Sequence, residues 1–436
     1  MKTIHMSIVL VIASASILVS VVASDSFTAV LRILSSGTIK TEVRANSGSV
    51  EDIQAAINKA IATGAVNVII PEGNWTFAAH GSFRVNITVP ARGLNIFGAG
   101  INRTVLAMPV DDSAPNTVMF NVEGTSGGRI RISGITFKGR PNIETSPTGD
   151  TGIEIQVCKD FRIDHCSFYY MGDCGIAVGD AEYQYGHYGG DLNLISQGVV
   201  DHCYFYDIYK PQCTDAGRGY GYGVSVMVAY HYLWSYNIYW NPDQIWSDLF
   251  GKYNRNVYIE DCYFSRCRHA AQANWAGAYV LRYSTIEDTR PYEVSTTGHP
   301  VRENVFGMLA CEIYNVTIRK TAQAPNNFVG PLVEGGSALI YNNTFINLEV
   351  GIELGSCEDK NGTPYHPKGH TREVYIWNNR YINCWTQINT HSNEPEGCPA
   401  PILGTEYFLS DPTVNGHSYT PYPYPHPLTL IETPHT

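Results

Sequence analysis

The sequence predicts an all-β fold in which short parallel strands coil into a β-helix closed at one end by a helix. An alternating apolar pattern, broken in its middle by two polar residues, recurs along most of the chain, and a short apolar strand follows many of its copies. An amphipathic segment precedes the first copy. Alternation with a period of two is typical of strands, and repetition of one unit along a chain is typical of solenoids.

Each copy of the repeat predicts two strands joined at a corner. The copies are IRISGITF (130–137), FRIDHCSF (161–168), VVDHCYF (199–205), VYIEDCYF (257–264), YVLRYSTI (279–286), CEIYNVTI (311–318), ALIYNNTF (338–345) and VYIWNNRY (374–381). The two polar residues shift the phase, so both halves point their apolar side chains inward. A third short strand follows, as in CGIAV (174–178), HAAQA (269–273), VGIEL (350–354) and WTQIN (385–389). Three short strands then complete one turn of the coil.

One inward corner position recurs in every copy and predicts a stack inside the coil. Its members are Ile135, Cys166, Cys203, Cys262, Ser284, Val316, Asn343 and Asn379. Eleven cysteines in a secreted chain would suggest disulfides. The stack instead predicts buried free thiols at its three cysteines. Cys357 and Cys398 remain candidates for disulfides, with no partner assigned to either.

The two ends of the coil carry different signals. The segment 49–64 predicts an amphipathic helix, with Ser49 as its N-cap and Ile53, Ile57, Ala60 and Ile61 on one face. Such a helix can plug the open end of the coil, whose strand edges would otherwise associate. The segment 66–77 begins the first coil, and the β-helix domain is expected over 49–390. The Pro- and Tyr-rich tail, 391–436, could lie along the coil or cover its other end.

The amino terminus predicts secretion, and the net charge argues against some classes of partner. Residues 1–23 are typical of a secretory signal peptide, and 24–48 form an N-terminal extension. No later segment is long and apolar enough to span a bilayer. The net charge of −11 argues against nucleic acid as a partner. It also disfavours strongly acidic polysaccharides unless a cation mediates their binding.

The opening DIQAAINKA and VIIPEGNWTF, together with the repeats over roughly 50–390, resembles the pectin-lyase-like superfamily of right-handed parallel β-helices. The resemblance implies that fold. It implies no single chemistry, since the superfamily includes lyases, hydrolases, epimerases and non-enzymatic proteins. Residues 162–165 are similar to the Trp-Ile-Asp-His stretch of pectate lyases, but Arg162 replaces the tryptophan. The calcium-binding aspartate cluster of pectate lyases cannot be placed in this sequence residue by residue, so pectate lyase activity is not implied.

Long insertions at 179–256 and 287–306 are expected to flank the sheet of third strands. They are rich in tyrosine and tryptophan, and exposed aromatic rings stack on the apolar faces of sugars. The insertions could also pack these rings against one another. The expected substrate-binding residues are Trp234, Tyr236, Trp240 and Trp246 in the insertions and Gln272 on the sheet.

Candidate catalytic residues face outward from the same sheet. By alternation Ala177, Gln272, Glu353 and Gln387 point outward, with Glu334 at the end of a neighbouring strand. Two carboxylates on nearby coils suit glycoside cleavage, although such residues can also be merely solvated. Arg268, His269 and Arg302 supply the base and cation that a lyase needs. Arg268 could instead pair with Asp261 or Glu260, and His269 could be a satisfied edge residue.

A speculative metal site lies at the repeated corner. Asp164, Asp201 and Glu260 fall on successive repeats, and stacked carboxylates could bind Ca²⁺. They could equally satisfy corner backbone groups and pair with Arg282. No cofactor is otherwise indicated. Six sequons, at Asn74, Asn86, Asn102, Asn315, Asn342 and Asn361, suit a secreted glycoprotein, although Asn315 and Asn342 are also suited to turns.

These features together predict a secreted carbohydrate-active protein whose partner is a polysaccharide or a cell-surface glycan. The expected activity is that of a polysaccharide lyase or glycoside hydrolase in an aromatic-lined cleft. The alternative is a non-catalytic surface protein that binds glycans or assembles with itself. Catalysis requires the candidate side chains to converge on one face.

Overall fold

The computed structural model describes residues 42–77, 83–110, 118–125, 127–140, 149–179, 196–209, 221–227, 242–254, 256–274, 277–289, 294–298, 308–321, 328–355, 371–392 and 399–431. The expected signal peptide, most of the N-terminal extension, Cys357, Cys398 and Asn361 lie outside these residues. Most residues of the two expected insertions, 179–256 and 287–306, also lie outside the described residues. No helix in the described part of the chain is long and apolar enough to cross a membrane.

The described strands form three long parallel sheets, of twelve, ten and ten strands, wound as a right-handed β-helix. Sheet A contains Glu42–Arg44, Asn67–Ile69, Leu94–Phe97, Ile130–Ser133, Lys159–Asp164, Gln197–Asp201, Val257–Glu260, Ala278–Arg282, Ala310–Tyr314, Ser337–Tyr341, Val374–Trp377 and Tyr407–Phe408. Sheet B contains Val85–Thr88, Val118–Glu123, Thr151–Gln156, Cys174–Val178, Tyr222–Met227, His269–Asn274, Val294–Gly298, Val329–Val333, Val350–Leu354 and Thr386–Thr390. Sheet C contains Gly73–Thr76, Thr104–Ala107, Thr136–Lys138, Ser167–Tyr169, Tyr204–Tyr206, Tyr263–Ser265, Thr285–Glu287, Thr317–Arg319, Thr344–Ile346 and Arg380–Ile382.

The sequence patterns identified the strands of the repeats, whereas several other strands were not predicted. The strands Cys174–Val178 and Val350–Leu354 have the predicted bounds. The expected insertion 287–306 contains the sheet B strand Val294–Gly298, which was missed because Thr296 and Gly298 occupy inward places that hold alanine on the preceding coil. The expected insertion 179–256 contains the strands Gln197–Asp201, Tyr204–Tyr206 and Tyr222–Met227.

Left-handed backbone makes the corner between sheets A and C. The residue after eight of the twelve sheet A strands has a positive φ, and these residues are Gly134, His165, His202, Asp261, Tyr283, Asn315, Asn342 and Asn378. Asn and Asp tolerate this conformation better than most residues, which explains why they recur here. Asn315 and Asn342 are therefore turn residues in the structure.

The predicted inward stack is confirmed. Cys166, Cys203 and Cys262 are buried free thiols on successive coils. Farther along, the stack becomes polar and hydrogen-bonded. Asn343 Nδ2 donates to the Ile313 carbonyl over 2.8 Å, and its Oδ1 accepts from the Val316 amide over 3.0 Å. Asn379 repeats the first bond to Ile340. Buried polar groups are costly unless paired, and this ladder pairs them.

We expect Cys203→Ser to lower the free energy of unfolding by about 1–3 kcal/mol, since a buried hydroxyl would replace a thiol between Cys166 and Cys262. Chemical denaturation measures the change. Cys384→Ser is the matched control, because Cys384 is a free thiol that is only partly buried. Equal losses in both variants, or a disulfide at Cys203 found by mass mapping, would contradict the stack of free thiols.

The amino-terminal end is capped as predicted, by the helix Val50–Thr63. Ser49 is its N-cap and accepts from the Asp52 amide, and Gly64 ends it at φ 80°. Ile53, Ile57 and Ala60 are fully buried against the first coil. The sequence did not predict the strand Glu42–Arg44, which pairs with Asn67–Ile69 and becomes the edge of sheet A.

The carboxy-terminal tail covers the outward face of sheet A. Tyr407–Phe408 adds the last strand of that sheet, and the short 3-10 helices Pro412–Asn415 and Pro427–Leu430 follow. The second of these contacts the strands Gln197–Asp201 and Lys159–Asp164, so the tail runs back along the coil. The helix Pro242–Asp248 lies on the same face, where Trp246 stacks on His417 with ring centroids 4.2 Å apart.

A buried arginine holds the tail against the coil. Arg282 donates to the Tyr422 carbonyl over 2.7 Å and to the Pro423 carbonyl over 2.8 Å. It also forms an ion pair with Glu260, and neither side chain is exposed. Glu260 in turn accepts from the His426 amide over 2.8 Å. These contacts link two coils to the tail.

Candidate functional site

A single row of residues marks the outward face of sheet B. Register pairing places Asn86, Asn121, Glu154, Ala177, Ser225, Gln272, Thr297, Leu332, Glu353 and Asn389 side by side on successive strands. Ile352 and Leu354, on either side of Glu353, are fully buried. The predicted outward orientation of Glu353 and Gln272 therefore holds. The partner of Glu353 is Asn389, two residues beyond the Gln387 that the alternation also indicated.

Glu353 lies at the centre of a polar cluster near the carboxy-terminal end of sheet B. Its Oε1 accepts from Asn389 Nδ2 over 3.1 Å and lies 3.3 Å from His391 Nδ1. Its side chain is 19% exposed and that of His391 is 35% exposed, so solvent reaches both. This cluster, defined by Glu334, Glu353, Asn389 and His391, is called the Glu353 cluster below.

Glu334 enters the cluster because Gly355 lacks a side chain. A Cβ placed on Gly355 would lie 3.1 Å from Glu334 Cγ and 2.7 Å from His391 Nε2. Glu334 and His391 thus occupy the space on either side of this glycine, one on each neighbouring coil. Any larger residue at 355 would separate them.

The protonation states of the cluster are complementary. The contact with His391 lowers the pKa of Glu353, against the opposing effect of burial. The same contact with Glu353, assisted by the charge of Glu334, raises the pKa of His391. An ionised carboxylate therefore lies beside an imidazole that tends to hold its proton. Such a pair provides a base and an acid within reach of one substrate.

Arg268 and His269 do not join this cluster. They lie at the start of the strand His269–Asn274, three strands from Val350–Leu354, which is about 14 Å at the usual strand spacing. Arg268 donates to the Tyr222 hydroxyl over 3.1 Å rather than pairing with Asp261 or Glu260. His269 is buried, and its Nδ1 lies 2.9 Å from the Val294 carbonyl oxygen. The structure does not bring Arg268 and His269 together with Glu353, and their catalytic role stays a prediction.

The predicted substrate-binding residues are also divided. Gln272 lies on the outward row but is buried, and its amide donates to Ser225 Oγ. Trp246 packs on sheet A against Phe250, Tyr375 and His417, so its assignment to the sheet B cleft is wrong. The helix Pro242–Asp248 carries it to that other face. Arg302, Trp234, Tyr236 and Trp240 lie outside the described residues.

The acidic corner does not form the calcium site considered for it. Arg131 binds both oxygens of Asp164 over 2.7 and 2.8 Å, and Arg162 binds both oxygens of Asp201 over 2.9 Å. Arg282 pairs with Glu260 as the alternative required. Guanidinium groups thus neutralise the three carboxylates that a Ca²⁺ ion could have neutralised. Within the described ranges, no group of three or more His, Cys, Asp or Glu side chains is arranged to hold a metal ion.

Sequence reasoning missed Asn389 and His391. Asn389 belongs to the last strand of sheet B, Thr386–Thr390, and His391 is the residue directly after that strand. Counting two residues beyond the outward position in each of the last three coils leads to Glu334, Gly355 and His391. The register between coils would have revealed this grouping, but only once Glu353 was known to pair with Asn389.

The comparisons with known proteins bear on the fold. No protein-family model and no curated protein matches the sequence. A tailspike protein of E. coli bacteriophage HK620, in complex with a pentasaccharide, matches the structure with a TM-score of 0.50 and 13% identity, over 82% of this chain and 60% of the tailspike chain. An alginate lyase from Paenibacillus sp. matches with a TM-score of 0.42 and 15% identity, over 85% and 98%. PfbA, a surface adhesin of Streptococcus pneumoniae, matches with a TM-score of 0.38 and 11% identity, over 82% and 96%.

At sequence identities this low, a structural match supports a shared fold and does not establish a shared chemistry. The tailspike likeness extends over 82% of this chain and agrees with its β-helical fold. The chain is a right-handed parallel β-helix.

Proposed function

We propose that this protein is a secreted glycoside hydrolase that cleaves a polysaccharide at the Glu353 cluster. The observation that carries the proposal is the Glu353–His391 contact of 3.3 Å on a solvent-reached part of sheet B, with Glu334 beside it. In this assignment Glu353 is the base or nucleophile and His391 the acid. The tailspike with the same fold is described in complex with a pentasaccharide, which supports a sugar as the ligand.

Charge favours hydrolysis over elimination at this cluster. A lyase that acts on uronates must neutralise the substrate carboxylate with a cation or a metal. The cluster has two carboxylates of its own. The Cα of Arg268 lies about 20 Å from that of Glu353, because it is three strands away and four residues nearer the strand start. A neutral polysaccharide avoids this repulsion. The Cα atoms of Glu334 and Glu353 are roughly 8 Å apart by strand geometry, so the two carboxylates belong to adjacent coils.

The test is to incubate the full-length protein with a panel of neutral and uronate polysaccharides. We expect new reducing ends from a neutral polysaccharide and no ultraviolet absorbance from unsaturated products. Absorbance with a uronate substrate would replace hydrolysis by elimination. Binding to a glycan without any product would remove the catalytic proposal.

A non-catalytic surface role is the second candidate, and one observation favours it. The last strands of sheets B and C, Thr386–Thr390 and Arg380–Ile382, have no described strand beyond them. Trp385 beside them is 64% exposed, and Ile402 and Leu403 are 54% and 55% exposed. An open edge with apolar side chains can associate with another chain. Concentration-dependent growth of the particle in light scattering, with no polysaccharide turned over, would favour this role.

A further inference from the structure

Two histidines form a pair on the corner between sheets A and C that the proposed hydrolysis does not use. His165 and His202 follow successive sheet A strands, and both have left-handed backbone, with φ of 49° and 52°. Their rings are stacked, with centroids 4.9 Å apart and planes only 2° from parallel. Their side chains are 56% and 52% exposed, so both rings are open to solvent.

Each imidazole is oriented by a buried carboxylate beneath it. His165 Nδ1 lies 2.9 Å from Asp164 Oδ2, and His202 Nδ1 lies 3.0 Å from Asp201 Oδ2. Neither aspartate is exposed. An ionised carboxylate only accepts hydrogen bonds, so Nδ1 carries the proton in both rings. In the neutral imidazole the lone pair is then on Nε2, which is on the far side of the ring from the carboxylate.

The carboxylates are themselves held in place. Arg131 donates to both carboxylate oxygens of Asp164, over 2.7 and 2.8 Å. Ser133 also donates to Asp164 over 2.9 Å. Arg162 fixes Asp201 with two bonds of 2.9 Å. The two imidazoles thus rest on a rigid, fully paired layer of charge.

We propose that His165 and His202 bind one divalent transition-metal ion through their Nε2 atoms. Histidine ligands of metals typically donate their other ring N–H to a carboxylate, which is the arrangement present twice here. Imidazole nitrogen suits ions such as Cu²⁺ and Zn²⁺, whereas Ca²⁺ prefers oxygen. Metal–nitrogen bonds of about 2.0–2.1 Å require the two rings to tilt toward each other. Water completes the coordination of this two-histidine site.

The site would link two adjacent coils at a place remote from the Glu353 cluster. An ion that binds the folded chain and not the unfolded chain raises the melting temperature. The expected role is therefore structural, and its readout is independent of any enzymatic activity.

The corner itself provides a conservative substitution. Asn315, Asn342 and Asn378 occupy the same corner position on other coils, with φ of 55°, 55° and 53°. His165→Asn/His202→Asn should therefore retain the corner and remove the metal ligands. Asn315→His/Asn342→His, added to that double variant, places a histidine pair on the next available coils. That pair would follow Tyr314 and Tyr341 rather than buried carboxylates.

The experiment uses the full chain, without a polyhistidine tag and from a host that does not glycosylate, titrated with Cu²⁺ at about pH 8, where an ordinary histidine is neutral. We expect one tight Cu²⁺ site with two nitrogen ligands in electron paramagnetic resonance, and a rise in melting temperature. His165→Asn/His202→Asn should weaken this site at least tenfold, about 1.4 kcal/mol, and remove the rise in melting temperature. The relocated pair should bind about 10–100-fold more weakly than the native pair.

Equal Cu²⁺ binding by the parent and by His165→Asn/His202→Asn would overturn the proposal. Full recovery of affinity by the relocated pair would overturn the role of the carboxylates. Ca²⁺ serves as the control ion, and an equal rise in melting temperature with Ca²⁺ would also contradict a site built from imidazoles.

Discussion

Replacing Arg282 by Met should lower the free energy of unfolding by about 3–5 kcal/mol, because the change leaves the buried carboxylate of Glu260 without its cation. Burial raises the pKa of Glu260, and the guanidinium opposes that effect. The variant also loses the two bonds of 2.7 and 2.8 Å to the tail carbonyls of Tyr422 and Pro423. Chemical denaturation measures the loss, and limited proteolysis should show earlier cleavage within 417–431.

The matched control is Arg103→Met, which breaks an ion pair with Glu72 whose side chains are 60% and 59% exposed. That pair is screened by solvent and should contribute far less to stability than the buried pair. Arg282→Met/Glu260→Gln should recover part of the loss, since Gln keeps an acceptor for the His426 amide while removing the unpaired charge. A loss for Arg282→Met as small as that for Arg103→Met would show that the tail does not depend on this arginine.

Changing Glu353 to Gln should reduce kcat on a cleaved polysaccharide by at least about 100-fold, because the amide cannot act as a base or nucleophile. The fold should persist, since Gln retains the acceptor for Asn389 Nδ2, a bond of 3.1 Å in the parent. Steady-state kinetics and the melting temperature together distinguish these effects. Glu334→Gln should also reduce kcat. The single variant that loses more kcat identifies the carboxylate that acts directly.

Glu123→Gln is the matched control for this prediction. Glu123 lies on the same sheet, two residues after Asn121 of the outward row. Its strand is seven strands from that of Glu353, which is about 34 Å at the usual spacing. Its replacement should leave kcat unchanged. If Glu334→Gln/Glu353→Gln cleaves as well as the parent, the carboxylate assignment is wrong, and Arg268, His269 and Arg302 become the next candidates.

Local patterns predicted most of the fold because a β-helix repeats one local problem many times. Each coil must turn between three sheets and bury the inward face of each strand, so the same alternation and the same polar break recur. The inward thiols at Cys166, Cys203 and Cys262 were predictable for that reason. The capping helix was predictable from its own residues, since Ser49 and the apolar face of Val50–Thr63 are local signals.

The site was predicted only in part. Alternation was enough to turn Glu353 outward, because the period of two depends on backbone geometry alone. It could not place His391 beside Glu353 or Glu334 beside Gly355, because those contacts depend on the register between coils. Coils of unequal length hide that register in the sequence.

The sequence alone determined the parallel coil, its inward stack and its amino-terminal cap, since each follows from short-range periodicity and local capping. Tertiary structure decided which charges meet. Asp164, Asp201 and Glu260 looked equally able to hold Ca²⁺ or to pair with arginine, and the guanidinium groups of Arg131, Arg162 and Arg282 were found beside them. It also carried Trp246 to sheet A and laid the tail over it. Such long-range contacts leave no periodic trace, because they join segments whose separation along the chain is arbitrary.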